Sequence, residues 1–197
     1  MECVTCHRVT SGLLCEACGV IQPPRVVDKF TVLGVPKTFA LGAAELEQRY
    51  RDLSRKLHPD RFAKASPEER MRSLQAATTL NEAHRTLKRD VPRAEYLLSL
   101  LGRQIDDNER VDPAFLMEVM ELREGLAEAK AEGDARRVDA MGAEMRERRI
   151  LALTKIAELF ATHERSGGES LLDQIKAELV SLRYFQRFLD ELEAGQD

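Results

Sequence analysis

Six apolar residues near the end of the chain, Leu172, Ile175, Leu179, Leu182, Phe185 and Leu189, recur at steps of three or four, a period that an α-helix turns onto one face. The same pattern recurs upstream. Leu46, Tyr50, Leu53 and Leu57 fall at i, i+4, i+7 and i+11 within 43–57, Ala76, Leu80, Ala83 and Leu87 repeat the spacing, and Met145, Leu153, Ile156 and Phe160 share a face of a long helix ending near Arg165. With 11 Gly and 7 Pro in 197 residues, 5% aromatic and 32% charged residues, composition favours helices over a sheet sandwich. The predicted fold class is all-α.

Breakers divide the helices. Pro59 pushes His58 out of the α region, so the helix from Ala43 ends around Leu57, and Ser66-Pro67-Glu68-Glu69 supplies the N-cap and N1 proline of the next. A connection of only about eight residues predicts an antiparallel helical hairpin. Arg89-Asp90-Val91-Pro92 interrupts the pattern, and a short apolar helix from Ala94 to Leu101 is expected to stop at Gly102. Asp112-Pro113 opens another helix, continued by Leu116, Val119 or Met120, Leu122 or Arg123, and Leu126 to about Ala131; Gly133-Asp134 follows, and Ser166-Gly167-Gly168 ends the long helix. Three amphipathic helices joined by short turns can bury their stripes only against each other, which predicts a three-helix bundle at the C-terminal end. No internal repeat or low-complexity tail is visible.

All four cysteines, Cys3, Cys6, Cys15 and Cys18, form two C-x-x-C pairs separated by eight residues. Such turns can wrap four thiolates tetrahedrally around one Zn²⁺, and Gly19 permits the tight turn after Cys18. With every position taken by protein, the zinc would be structural and would itself fold so small a piece. Reactive dithiols, a rubredoxin-like iron site and a nucleic-acid zinc ribbon are the competing readings; His7 is expected to be a bystander. Ile21-Gln22-Pro23-Pro24 reads as a linker. The expected organisation is a tetracysteine zinc module at 1–22, a hairpin domain at 23–92 and a helical bundle at 93–197.

A net charge of −4 and a pI near 5.7 argue against a chain that coats nucleic acid. No apolar run approaches the roughly 18–20 residues of a membrane span, and no leader opens the chain, so a bacterial cytoplasmic location is expected, or the mitochondrial matrix for a processed eukaryotic chain. Catalytic constellations are not recognisable: there is no Ser-His-acid set, Gly-rich phosphate loop or paired carboxylate in an apolar setting. The chain is expected not to be an enzyme.

His58-Pro59-Asp60 stands at the tip of the hairpin, presented outward on a corner that Pro59 stiffens. From Arg49 to Arg61 there are five Lys or Arg against two Asp, a local charge of +3 that suits an acidic partner. This arrangement resembles a J-domain, in which the tripeptide and the basic second helix contact an Hsp70 and promote its ATP hydrolysis. The resemblance narrows to the HscB family. Phe30-Thr31-Val32-Leu33-Gly34-Val35 looks like its first helix, and Leu57-His58-Pro59-Asp60-Arg61-Phe62 is similar to its corner. Asn81-Glu82-Ala83, Arg93-Ala94-Glu95-Tyr96-Leu97-Leu98-Ser99-Leu100, Phe115-Leu116-Met117-Glu118, Glu121-Leu122-Arg123-Glu124 and Leu182-Arg183-Tyr184-Phe185 also match.

That family implies a co-chaperone which delivers an iron–sulfur cluster scaffold of the IscU type to a specialised Hsp70 of the HscA type. The implied Hsp70-binding residues are His58, Pro59, Asp60, Arg49, Arg55, Lys56 and Arg61. Those implied for the scaffold are Leu116, Met117, Met120 and Tyr184, rimmed by Glu121, Arg123 and Glu124, while Phe115, Leu122 and Leu126 are expected in the core. A general J-domain co-chaperone for other clients is the alternative. Neither nucleic acid nor membrane is expected as a partner.

Overall fold

The computed structural model describes residues 2–194 apart from Pro24, Val26, Asp107, Asn108 and Arg110, so the second proline of the expected linker lies outside the described residues. Among the described residues the regular structure is helical: α1 (Lys29–Leu33), α2 (Ala43–Leu57), a 3-10 turn (Pro59–Phe62), α3 (Pro67–Leu87), α4 (Asp90–Leu100), α5 (Pro113–Glu132), α6 (Ala135–Ser166) and α7 (Glu169–Glu193). Extended pairing is limited to two isolated antiparallel bridges, Glu2 with Val9 and Leu14 with Ile21. The chain divides into two compact units, Met1–Arg93 and Ala94–Asp197.

In the first unit, α2 and α3 run antiparallel: Leu57 meets Ser73 at one end, while Glu47 and Tyr50 meet His84 at the other. Leu46, Leu57, Ala76, Leu80, Ala83 and Leu87 are buried along the facing stripes, with Phe30, Val32 and Leu33 of α1 packed beside them. Ser66 caps α3 through the Glu69 N–H, and the Glu69 carboxylate returns the bond to the Ser66 backbone. The linking segment is more ordered than a plain loop, because Pro59 has the φ of a tight turn and starts the 3-10 helix. Arg93 closes the unit. Its buried guanidinium donates to the Leu87 carbonyl at 2.7 Å and to Asp90 at 2.6 Å, and lies 5.0 Å from the centre of the Phe39 ring.

The short apolar helix begins at Asp90, four residues earlier than the sequence pattern suggested. Val91 and Pro92 occupy its first turn, where a missing N–H breaks no intrahelical bond. The interruption shrinks to Lys88 and Arg89.

The second unit holds the bundle. Glu118 pairs with Arg148 and Glu128 with Arg137, so α5 and α6 are antiparallel; Lys155 pairs with Glu178, making α7 antiparallel to α6 and parallel to α5. Met145, Ala152, Ile156 and Phe160 of α6 meet the α7 residues Leu172, Ile175, Leu179, Leu182, Phe185, Phe188, Leu189 and Leu192 in the core. Leu153, expected on the buried face, is only half-buried, and Ala152 takes its place. On α5 the buried residues are Val119, Leu126 and Ala129, with Phe115 and Leu122 half-buried at the margin rather than fully in the core. The stripe is therefore 115, 119, 122, 126 and 129, and Val119 is its inward member, not Met120.

Asp28 caps α1, accepting from the Thr31 N–H at 3.0 Å and the Thr31 hydroxyl at 2.8 Å, with Lys37 at 2.9 Å. Burial alone would raise its pKa, but the Thr31 bonds and the Lys37 ammonium outweigh it and hold the carboxyl below its usual range. A carboxylate with a depressed native pKa stabilises the fold above its unfolded pKa and loses that contribution as pH falls through the native value. Asp28→Ala should lower unfolding free energy by about 1 kcal/mol at neutral pH. The gap from wild type should narrow in acid; denaturant titrations at both pH values check this, and a gap that widens in acid would contradict it.

Candidate functional site

The corner is built by what surrounds it. Leu57 is fully buried, its carbonyl is taken by the buried Ser73 hydroxyl at 2.7 Å, and His58 then turns to ψ 128° ahead of Pro59. His58 Nδ1 accepts the Asp60 N–H at 3.3 Å, and its ring lies 3.5 Å from the Asp60 carboxylate. The two side chains are nevertheless presented to solvent, 54% and 90% exposed. A local ring of bonds thus fixes the backbone while leaving both polar groups facing outward.

The basic residues around the corner are not equivalent. Arg55 is paired with Asp52, three residues before it, and Asp52 is held below its ordinary pKa first by the Gln48 amide and then by Arg55. Arg51 is paired with Glu47. Among the described residues, Arg49, Lys56 and Arg61 have no ion-pair partner, and all three are exposed. Arg49 and Lys56 lie two turns apart on one face of α2, and Arg61 follows the corner. The structure gathers these three and sets Arg55 apart as a partly neutralised neighbour.

Among the described residues the four cysteine sulfurs lie within 4.8 Å of one another, with Cys3 to Cys18 and Cys6 to Cys15 each at 3.6 Å. Disulfide sulfurs would stand about 2.05 Å apart. A tetrahedral four-sulfur site with metal–sulfur bonds of about 2.3 Å has edges of about 3.8 Å, close to both short separations. Such a cluster can hold a metal ion.

Its backbone is duplicated. The N–H of Cys3 donates to Arg8 and that of His7 to Cys3; twelve residues later, Cys15 donates to Val20 and Gly19 to Cys15. His7 and Gly19 both adopt left-handed φ, 57° and 72°, so His7 is the turn residue of the first knuckle as Gly19 is of the second. The side chains hide a repeat that the backbone carries. Thr5 N–H and the Gln22 amide both donate to the Cys3 sulfur at 3.4 Å, a role for Gln22 that spacing alone did not reveal.

The thiols of the cluster are not equivalent. N–H groups of Cys6 and Thr5 lower the Cys3 pKa to about 6. Although the Val20 N–H acts to lower Cys18, burial and the neighbouring cysteines push it up to about 12. Four thiolates at this spacing can coexist only with positive charge among them.

On α5, Met117 and Met120 are 64% and 61% exposed, whereas Leu116 is half-buried. Tyr184 on α7 is half-buried and packs edge-on against Phe115, ring centres 5.6 Å apart. Glu121 and Glu124 are exposed, and Arg123 is paired with Glu191 at 2.9 Å. The seven residues predicted for one patch therefore divide: two exposed methionines, a half-buried leucine and tyrosine, two exposed acids and one arginine already engaged. Further exposed apolar pairs, Ile150 with Leu151 on α6 and Met71 with Leu74 on α3, escaped the sequence reading because they sit outside the buried stripes. No described helix is long and apolar enough to cross a membrane.

Against known proteins, the DnaJ domain matches residues 28–96 and the HSCB C-terminal oligomerisation domain matches residues 111–193. The co-chaperone protein HscB homologs of Burkholderia vietnamiensis and Burkholderia multivorans are each 38% identical over 168 residues, 84% of this chain and 91% of theirs. Among solved structures, human co-chaperone protein HscB superposes with a TM-score of 0.82 at 26% identity, covering 98% of both chains. Chaperone HscB from Vibrio cholerae gives 0.72 at 32% identity, covering 85% of this chain and 96% of its own. With its two domain matches in this order and relatives aligned over most of their length, the chain belongs to the HscB family of J-domain co-chaperones.

Proposed function

We propose that the chain stimulates the ATPase of a specialised, HscA-type Hsp70 and delivers an IscU-type iron–sulfur scaffold to it. The observation that carries this reading is the solvent-facing His58-Pro59-Asp60 corner beside three cations without an ion-pair partner among the described residues, on the same chain as an HscB C-terminal domain with exposed methionines. Arg49, Lys56 and Arg61 steer an acidic face of the ATP-bound chaperone onto α2, and His58 and Asp60 make the contacts that couple docking to hydrolysis. Met117 and Met120 supply an adaptable apolar surface for the scaffold, with Glu121 and Glu124 at its edge and Leu116 and Tyr184 supporting it. Hydrolysis then traps the scaffold and favours cluster release. The segments 1–22, 23–92 and 93–197 act as metal module, J-domain and scaffold-binding bundle, and the protein works as a non-enzymatic partner in the cytoplasm.

Single-turnover ATP hydrolysis by the cognate Hsp70, with and without scaffold, tests this directly. Stimulation should be synergistic, and Asp60→Ala should reduce it roughly tenfold or more, equivalent to about 1.4 kcal/mol of lost coupling. Stimulation indifferent to scaffold would point to a general J-domain co-chaperone, and none at all would overturn the proposal. Replacing Met117 and Met120 together by Ser should weaken scaffold binding roughly tenfold while leaving thermal unfolding and basal Hsp70 stimulation unchanged. Both side chains are mostly in solvent, so a large drop in melting temperature would instead assign them to packing.

The cysteine cluster is proposed to hold one structural Zn²⁺, leaving no coordination position for water or substrate. Elemental analysis should find one zinc per chain, with affinity falling as pH falls because protons compete for the thiolates. A strong chelator should expose all four thiols to alkylation and open the first 22 residues to protease without reducing helical content. Iron in place of zinc, or alkylation as fast before chelation as after, would count against it.

A further inference from the structure

A cleft of about 760 Å³ lies between the cysteine module and the helices, with Ser11, Leu13 and Leu14 on one side and Arg49, Leu53 and Lys56 on the other. The three α2 residues form one stripe at i, i+4 and i+7. Arg61 and Phe62, directly after the corner, also line it, so the cleft begins where the His-Pro-Asp turn ends.

Its charge is unbalanced. Arg49, Lys56 and Arg61 have no ion-pair partner among the described residues, and of the two lining acids Asp52 is engaged by Arg55, leaving Glu16. Leucines and Phe62 add apolar surface. A cleft of this size with surplus positive charge suits a short, acidic, partly apolar peptide segment.

The cysteine-module wall is held in place. Three successive carbonyls of its loop are engaged: Gly12 accepts from the Arg25 guanidinium at 2.6 Å, Leu13 from the Gln22 N–H at 2.9 Å, and Leu14 from the Thr10 hydroxyl at 3.3 Å.

Resting on the co-chaperone reading above, we propose that loop 11–16 is the second wall of the chaperone-docking cleft. It contacts an acidic segment of the ATP-bound Hsp70 that Arg49, Lys56 and Arg61 hold from the other side. The metal module is then part of the docking surface and not a detached appendage.

Ser11 is exposed, so charge can be added there without touching sulfur, core or corner. The measurement is the Kd of full-length protein for ATP-bound cognate Hsp70. Ser11→Glu should weaken binding about threefold and Ser11→Lys should tighten it about as much, both effects fading at high salt. The same substitutions at Val9, 85% exposed on the module and outside the cleft, should leave Kd unchanged. No effect at Ser11, or equal effects at Ser11 and Val9, would overturn the wall while wild-type binding and its loss in Asp60→Ala keep the co-chaperone reading. Absence of wild-type binding would overturn both.

Discussion

The end of α2 is the point on which the first unit depends. Helix termination leaves carbonyls without partners, and Leu57 combines such a carbonyl with a fully buried side chain. Water cannot serve there. The Ser73 hydroxyl does, from the facing helix, so the bond that satisfies the terminus also fixes the register of the hairpin. Pro59 favours termination there by disfavouring the helical region for His58. The exposed tripeptide is held by the anchored, buried residue before it and by local bonds of its own, the Asp60 N–H to His58 Nδ1 and the Arg61 and Ala63 N–H groups to the His58 and Asp60 carbonyls.

Electrostatics then separates residues that look alike in sequence. An exposed arginine paired three residues away gains little, since such pairs contribute a few tenths of a kcal/mol, but it contributes less net field to a partner than an unpaired one. Asp52 and Glu47 draw Arg55 and Arg51 into local pairs, and among the described residues the charge left uncompensated lies on the Arg49–Lys56 stripe and at Arg61. The same separation occurs on α5, where Arg123 reaches Glu191 while Glu121 and Glu124 stay exposed. Net charge summed along a segment, +3 between Arg49 and Arg61, gives the sign of this field but not its direction.

Helical period and breakers made the fold class, the α2 and α3 bounds and the antiparallel hairpin legible, because burial on one face and a proline at a terminus both leave marks in the sequence. Legibility failed where two residues competed for one position. Val119 and Met120 both continue the α5 stripe, and only the packing of α5 within the bundle selects Val119 inward. Leu116 and Met117 are adjacent and point about 100° apart around the helix; one is half-buried and the other mostly exposed. Pro92 read as a breaker although it sits in a first turn, where proline is tolerated. The cysteine spacing announced a metal site, yet the twelve-residue backbone repeat and the sulfur contact of Gln22 depend on turn geometry that side-chain identity does not encode.

A 22-residue segment with Cys3, Cys15 and Ile21 as its buried apolar side chains cannot hold itself together by burial. Its order rests on hydrogen bonds, within the segment and to the chain that follows, and on any metal that the four sulfurs gather. Gln22 joins these two sources, its side chain donating to the Cys3 sulfur while its backbone N–H binds the Leu13 carbonyl. Arg25 extends the link to Gly12. Loss of a metal held there would therefore release more than the sulfurs, because Gln22, which positions the Leu13 carbonyl, is itself bonded to Cys3. On this geometry, a metal held by the four sulfurs would bear on the Leu13 side of the cleft beside Arg49 and Lys56, a surface it does not touch.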